Sequence, residues 1–197
     1  MDCNSIIKSS NGITSVSVEA RLLKSRKIFI EGEITPELAC NVIRKIMVLT
    51  LEDNQKCIEI LINSPGGEIN AGLLIYDVLQ SCKTPIRMFC LGEAYSMAAV
   101  LFACGCYGRY MLPHSKLMLH EPLLGNRVSG NSSSIKSISD SLLETEKMMN
   151  QILAKHTGKM EQEIKEACSY DHYFSAEESI KFGLCDKIVG FDVLMEG

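Results

Sequence analysis

Along the chain, short unbroken apolar runs alternate with longer stretches in which apolar residues recur every three or four positions. "KIFIEG" (27–32), "CIEILI" (57–62), "PIRMFCL" (85–91), "KLMLH" (116–120) and "CDKIV" (185–189) have strand length. "CIEILI" is apolar almost throughout, the signature of a strand buried on both faces. Leu38, Val42, Ile46 and Leu49 repeat at helical spacing behind Thr35-Pro36, where threonine suits the N-cap and proline the first helical position. Ile69, Leu73, Tyr76 and Leu79 mark a second helix after the turn "NSPGG" (63–67), and "SMAAVLFAC" (96–104) a third. Strands alternating with helices in this way predict parallel βαβ units and an α/β fold.

The rhythm breaks at "GNRVSGNSSS" (125–134), which reads as a loop. Ile135, Ile138, Leu142, Met149 and Leu153 then line one long helix that stops at Gly158, a C-cap. "FSAEESIKFG" (174–183) carries a capping box, Ser175 with Glu178. Residues 1–17 are polar and Ser-rich and read as a flexible arm, and 18–197 read as one domain from which segment 125–160 is expected to project.

Composition narrows the function classes. A chain of 197 residues, 46% hydrophobic and 22% charged, has the makings of one globular core. The net charge of −4, without a strongly basic stretch, argues against a nucleic-acid partner. The longest apolar run, Met97 to Cys104, is too short to span a bilayer, and the first residues hold no apolar core suited to a secretory signal. A cytoplasmic protein is therefore expected. Of the nine cysteines, Cys57, Cys90 and Cys185 fall in strand-like runs and Cys40 and Cys104 in helix-like ones, as reduced core thiols do. Cys104 and Cys106 form a C-x-C pair without a second pair or a histidine at ligand spacing, so no metal site is expected.

Three features sit at the carboxyl ends of predicted strands, where sites form in open α/β sheets: "SPGG" (64–67), "GEAYS" (92–96) and His120. Ser96 in "AYSMA" is either a helix cap or a nucleophile on a tight turn, with Ala94 and Ala98 meeting the demand for small residues on either side. Gly66 or Gly67 would let a backbone N–H approach a ligand and, with the N–H of Met97, form a two-donor oxyanion hole. The loop is not a phosphate loop, because "SPGGEINAG" lacks the G-K-[ST] ending. A serine needs a base, and of His114, His120, His156 and His172 the best placed is His120. The base needs a carboxylate, and Asp77, Glu121, Asp171 and Asp186 are available; Asp171, in a linker, is free to point into a site.

"INSPGGEINAGLLIYDVLQ" (62–80), "GEAYSMAAVLFACG" (92–105), "LPHSKLMLHEP" (112–122) and "YDHYFSAEESIKFGLCDKI" (170–188) resemble, in order, signature blocks of the ClpP family, the proteolytic subunits of ATP-dependent Clp proteases. The resemblance runs from about Arg21 to Ile188 with one short deletion near Arg109. It implies a crotonase-like fold, a serine peptidase, and two stacked heptameric rings enclosing the active sites. It places the nucleophile on Ser96, the base on His120, the carboxylate on Asp171 and the oxyanion donors on Gly67 and Met97. The long helix becomes the handle, about 122–158, by which rings meet, and residues 1–17 become a pore-lining axial arm. No cofactor is implied in this chain; ATP would be used by a separate AAA+ Clp unfoldase.

The chain departs from the family pattern at several points. Glu93 and Tyr95 replace small or amide-bearing residues before the serine, so a narrowed site is expected. Glu121 replaces a glutamine after the base, and His172 an arginine that acts between rings. Glu59, Leu61 and Ser81 fall where unfoldase-docking residues are usually aromatic, with Tyr110 retained. Poor coupling to a generic unfoldase is therefore expected, and either a dedicated unfoldase or a mixed ring with a second ClpP-type subunit. The competing readings are a non-catalytic ring subunit and a crotonase-fold acyl-CoA enzyme.

Overall fold

The computed structural model describes residues 4–9, 12–125 and 129–195. In chain order it holds β1 (Asn4–Ser9), β2 (Gly12–Ser17), α1 (Val18–Lys24), β3 (Lys27–Glu31), α2 (Pro36–Glu52), β4 (Ile58–Ser64), α3 (Ile69–Ser81), β5 (Ile86–Tyr95) and α4 (Met97–Ala103). There follow β6 (Arg109–Met111), β7 (Lys116–Leu119), α5 (Ser132–Thr157), α6 (Glu161–Cys168), β8 (His172–Phe174), α7 (Ala176–Phe182), β9 (Lys187–Ile188) and a 3₁₀ turn, Phe191–Met195.

The strands β3-β4-β5-β6-β9 run parallel in that order, as the alternating apolar runs predict. β4 and β5 bury both faces: Ile60, Ile62, Met88 and Cys90 enter the large core under the helices, while Leu61 and Phe89 enter a smaller cluster with Val189 and Leu194. β5 is the pivotal strand. Its ten residues are long enough to pair twice, Met88–Cys90 with β6 and then Glu93–Tyr95 with β7. β7 pairs antiparallel with β8, so the sheet forks toward the carboxyl end of β5 and a short second layer forms there.

The helices follow their sequence signals. The Thr35 hydroxyl caps α2 by accepting from Leu38 N–H, and Ala39, Val42, Ile46 and Leu49 are its buried face. The capping box of α7 closes as expected, and Gly158 and Gly183 end α5 and α7 in the left-handed conformation. In α3 the buried residues are Ala71, Gly72, Ile75 and Tyr76; Ile69, Leu73 and Leu79 flank that face partly buried. In α5 only the last two turns are buried, at Met149, Asn150 and Leu153. Ile135, Leu143 and Met148 are exposed.

Several expectations are revised. The described part of the arm is an antiparallel hairpin, β1 with β2, rather than an unstructured segment; residues 1–3 and 10–11 lie outside the described residues. Four of its pairs set an apolar residue opposite a polar one (Ser5–Val16, Ile6–Ser15, Ile7–Thr14 and Lys8–Ile13), and neither strand alternates apolar with polar residues, so the hairpin leaves no two-residue period in the sequence. Within the 125–134 loop, residues 126–128 likewise lie outside the described residues, and α5 begins at Ser132. Helices α1 and α6 carry too few apolar residues for periodicity to find them. Cys40 is exposed on α2 rather than a core thiol, and Cys106 is exposed as well. Burial pushes the Cys90 and Cys104 thiols up to about 12, and those of Cys168 and Cys185 up to about 11, so none is a ready thiolate at neutral pH.

Arg109, on β6, ties together helix ends that lie far apart in sequence. Its Nη1 donates to the carbonyls of Ala103 (3.2 Å), His156 (3.2 Å) and Gly183 (2.7 Å), the last turns of α4, α5 and α7. These are the negative poles of three helix dipoles, and a guanidinium satisfies carbonyls that the helices cannot. Asp186 holds it from the other side through Nε (3.1 Å) and Nη2 (2.5 Å). Burial alone would raise the Asp186 pKa, but hydrogen bonds and charge from Arg109 outweigh it and hold the carboxyl below its ordinary value of 3.8. A depressed folded pKa gives stability that is present above that ordinary value and lost as pH falls through the folded one. Arg109→Met is expected to cost about 2–3 kcal/mol, less than loss of a fully buried pair because Asp186 is half exposed. Urea melts at pH 7 and pH 3 test this: the loss should shrink at the lower pH, because stability held by the depressed Asp186 carboxyl begins to fall away below its ordinary value of 3.8.

Candidate active site

The site is assembled where β5, β4 and β7 end. β5 stops at Tyr95, and α4 starts at Met97, which leaves Ser96 to reverse the chain. Ser96 adopts φ 53° and ψ −123°, one of only two positive-φ non-glycine residues among the described residues. Such a backbone costs of order 1–3 kcal/mol and persists only where the surroundings hold it. They do so here. Ser96 N–H donates to Met118 O of β7 at 2.8 Å, and Gly66 packs directly against the turn. A Cβ on Gly66 would stand 2.6 Å from Tyr95 O and 2.8 Å from Ser96 Cβ. Gly66 itself is at φ 96°, a second reason why only glycine fits.

Ser96 occupies the N-cap position of α4, yet its side chain makes no capping hydrogen bond. Its Oγ lies 2.7 Å from His120 Nε2 instead. Of the two readings open from sequence, a side-chain cap is not formed, and the hydroxyl faces a histidine instead. His120 follows β7 directly, so the pairing of β7 with β5 sets this distance. On the far side of the ring, His120 Nδ1 is 3.4 Å from Asp171 Oδ1. Asp171 immediately precedes β8, whose antiparallel pairing of His172 with Leu119 brings it level with His120. His120 is largely buried, whereas Asp171 is 63% exposed. The Nδ1 contact is longer than a tight hydrogen bond, as is common for catalytic contacts before substrate binds.

The glycine loop is held from two sides. Gly66 N–H donates to Ser64 Oγ (3.1 Å), whose hydroxyl donates in turn to Gly32 O (2.6 Å). Gly66 O accepts from Ile34 N–H (2.7 Å), and Glu68 N–H donates to Ile34 O (2.8 Å). Gly67 between them is at φ 151°, and a Cβ there would strike Ile34 backbone at 2.5 Å. The N–H groups of Gly67 and Met97 have no acceptor among the described residues. Two such donors flanking a serine suit the charge that develops on a carbonyl oxygen under attack.

A small apolar cleft opens beside Ser96 and His120, walled by Ile69, Val100, Leu119, Pro122 and Leu153. The walls from α5 and α6 (Met149, Asn150, Leu153, Cys168) had no signal in the sequence, because they lie more than fifty residues from Ser96 and carry no motif. A larger groove of about 580 Å³ lies between α1, β3 and α2, but its polar lining, Glu19, Glu31, Thr35, Glu37, Asn41 and Lys45, includes no histidine or cysteine. Tyr95 does not narrow the cleft as expected. Its ring turns away and meets Tyr173 edge-on at 5.5 Å. Among the described residues His114 and the carboxylates Asp77, Glu121 and Asp186 make no hydrogen bond or ion pair with Ser96 or His120, and Asp186 is committed to Arg109. His156 hydrogen-bonds Tyr76 Oη at 3.2 Å, and burial lowers its pKa, assisted by Lys155 and Arg109. Among the described residues no group of three or more His, Cys, Asp or Glu is placed to hold a metal ion, and no helix is long and apolar enough to cross a membrane.

Residues 10–191 of the 197 match the family model described as Clp protease. The chain belongs to the Clp protease family. Membership implies a peptidase, and it embraces every site residue above. Glu59, which falls where docking residues are usually aromatic in the family, has its partners inside the sheet. It is buried, paired by register with Lys27 on β3 and Arg87 on β5, and it bonds to both, Arg87 at 2.6 Å. Two cations thus balance its carboxylate within the sheet.

Gly66→Ala tests the packing that holds the turn. The new methyl meets backbone rather than a movable side chain, so a loss of about 1–3 kcal/mol in thermal or urea unfolding is expected. Peptidase activity should fall further than stability does, because Ser96 cannot keep its position if the glycine loop retreats.

Proposed function

We propose that the chain is a serine endopeptidase subunit of a self-compartmentalising, ATP-dependent protease that cleaves unfolded polypeptides. The observation that carries the reading is the 2.7 Å contact of Ser96 Oγ with His120 Nε2 at a serine that does not cap its helix. In this reading Ser96 Oγ attacks the scissile carbonyl while its proton passes to His120 Nε2. Asp171 orients the ring through Nδ1–H and stabilises the imidazolium. The oxyanion rests on the N–H groups of Gly67 and Met97. His120 then protonates the leaving amine, and water, activated by the same histidine, releases the acyl group from Ser96. An acyl-CoA enzyme would have use for the two N–H donors but none for Ser96 paired with His120, and a scaffolding subunit would have use for neither.

The assembly reading has its own support. The first four turns of α5 leave Ile135 and Leu143 exposed and Ile138 and Leu142 only half-buried, apolar surface that a lone subunit does not cover. A second copy of the chain, in two stacked heptameric rings, covers it; α5 is then the handle of a crotonase-like fold, and an AAA+ Clp unfoldase or a second ClpP-type subunit completes the machine. Short peptides need only the triad, so their cleavage should not require ATP.

Ser96→Ala and His120→Ala should each remove nearly all hydrolysis of a fluorogenic peptide, on the order of 10⁶-fold, and Asp171→Asn about 10⁴-fold, as in other serine peptidases. Full activity in Asp171→Asn would exclude it as the third member. For assembly, Ile135→Asp with Leu143→Asp should reduce the native mass from a tetradecamer toward single rings or smaller species. Met149 is unsuitable for this test because it is buried in its own subunit.

A further inference from the structure

We propose that His172 is a positioning residue that holds Asp171 in register with His120, acting as a flat ring in an aromatic stack and not as an ionic contact between rings. The inference rests on Asp171 being the third member of the triad. Residues 170, 172 and 174 fall on one side of the strand and Asp171 and Tyr173 on the other, as the two-residue strand period requires. On the first side three rings pile up. Tyr170 and His172 stack at 5.1 Å with planes 17° apart, and His172 and Phe174 at 4.1 Å and 19°.

The stack is anchored at one end only. Phe174 is buried and meets Phe182 of α7 at 5.0 Å. Phe182 in turn lies under Lys159 Nζ at 5.4 Å. Tyr170, at the other end, is 60% exposed. Thus the order of the core passes outward through His172 to the residues around Asp171, which is itself mostly exposed and has no other fixing contact than His120 among the described residues. On the opposite side, Tyr173 braces against Tyr95, the residue preceding Ser96. Asp171 therefore sits between two aromatic contacts, one leading to the core and one to the serine turn.

The chemistry of His172 supports the flat-ring role. Its Nδ1 is buried and has no hydrogen-bond partner among the described residues. A histidine kept for polar contact would not leave a ring nitrogen unmet in the interior. A phenyl ring at 172 should keep the stack and remove the unmet nitrogen.

The test is a double-mutant cycle read by steady-state hydrolysis of a fluorogenic peptide. His172→Ala should lower kcat about ten- to hundredfold through misplacement of Asp171, with KM unchanged. His172→Phe should stay within a factor of about three of the parent by keeping the stack. In an Asp171→Asn background His172→Ala should cost less than about twofold, because its effect passes through the carboxylate. If His172→Ala is too unstable to assay, Tyr170→Ala removes the exposed ring without touching the core and should show a smaller loss that also vanishes with Asp171→Asn. The same loss in both backgrounds, or a His172→Phe variant as slow as His172→Ala, overturns the positioning role while leaving the triad standing. An Asp171→Asn variant with parental activity overturns the triad reading and this inference together.

Discussion

The site depends on one close approach, Gly66 against the backbone of Tyr95 and Ser96. Ser96 is in a strained conformation that no isolated strand-to-helix turn would keep. Two neighbours hold it, Met118 O on β7 and the glycine loop after β4. The same two neighbours bring the other functional groups. β7 leads straight into His120, and the glycine loop presents the N–H of Gly67. The constraint that strains the serine is therefore also what gathers base and donors around it. Because all three strands belong to one parallel sheet, their carboxyl ends necessarily share an edge.

The fork in β5 makes this possible. A strand of ordinary length would end where β6 ends, and no partner would remain to fix the serine turn. The register shift between Ile62 and Ser64 marks where β5 leaves its first alignment, and Asn63 Oδ1 accepts from Glu93 N–H (3.2 Å) to hold the offset. Beyond the fork, β8 adds Asp171 from a segment over fifty residues past His120. Of Ser96, His120 and Asp171, the carboxylate, delivered by a strand of only three residues, is accordingly the most exposed and the most loosely held.

Much of this was legible in the sequence. The strands and helices around the core declare themselves through long apolar runs and helical spacing, and the glycine pair, Ser96 and His120 can be placed on one edge by strand order alone. The choice of Asp171 and of Gly67 came from resemblance, since local pattern left several carboxylates and either glycine open. Helices α1 and α6 left little trace because α1 buries none of its residues and α6 only Ile164, Ala167 and Cys168, and the hairpin β1–β2 because its strands do not alternate apolar with polar residues. The orientation of Tyr95 and the burial of Glu59 were invisible for another reason. Each depends on a cross-strand neighbour, Tyr173 or the Lys27–Arg87 pair, and sequence spacing does not reveal which strands lie side by side.

The chemistry proposed for Ser96 is that of an activated nucleophile. An activated serine reacts with a fluorophosphonate, whereas a capping serine does not. The most direct measurement is intact and peptide mass spectrometry of the assembled protein after exposure to such a probe. One adduct per chain, located on Ser96 and absent from His120→Ala, is the expected result. An unmodified chain, or an adduct on another residue that persists in His120→Ala, would contradict the account.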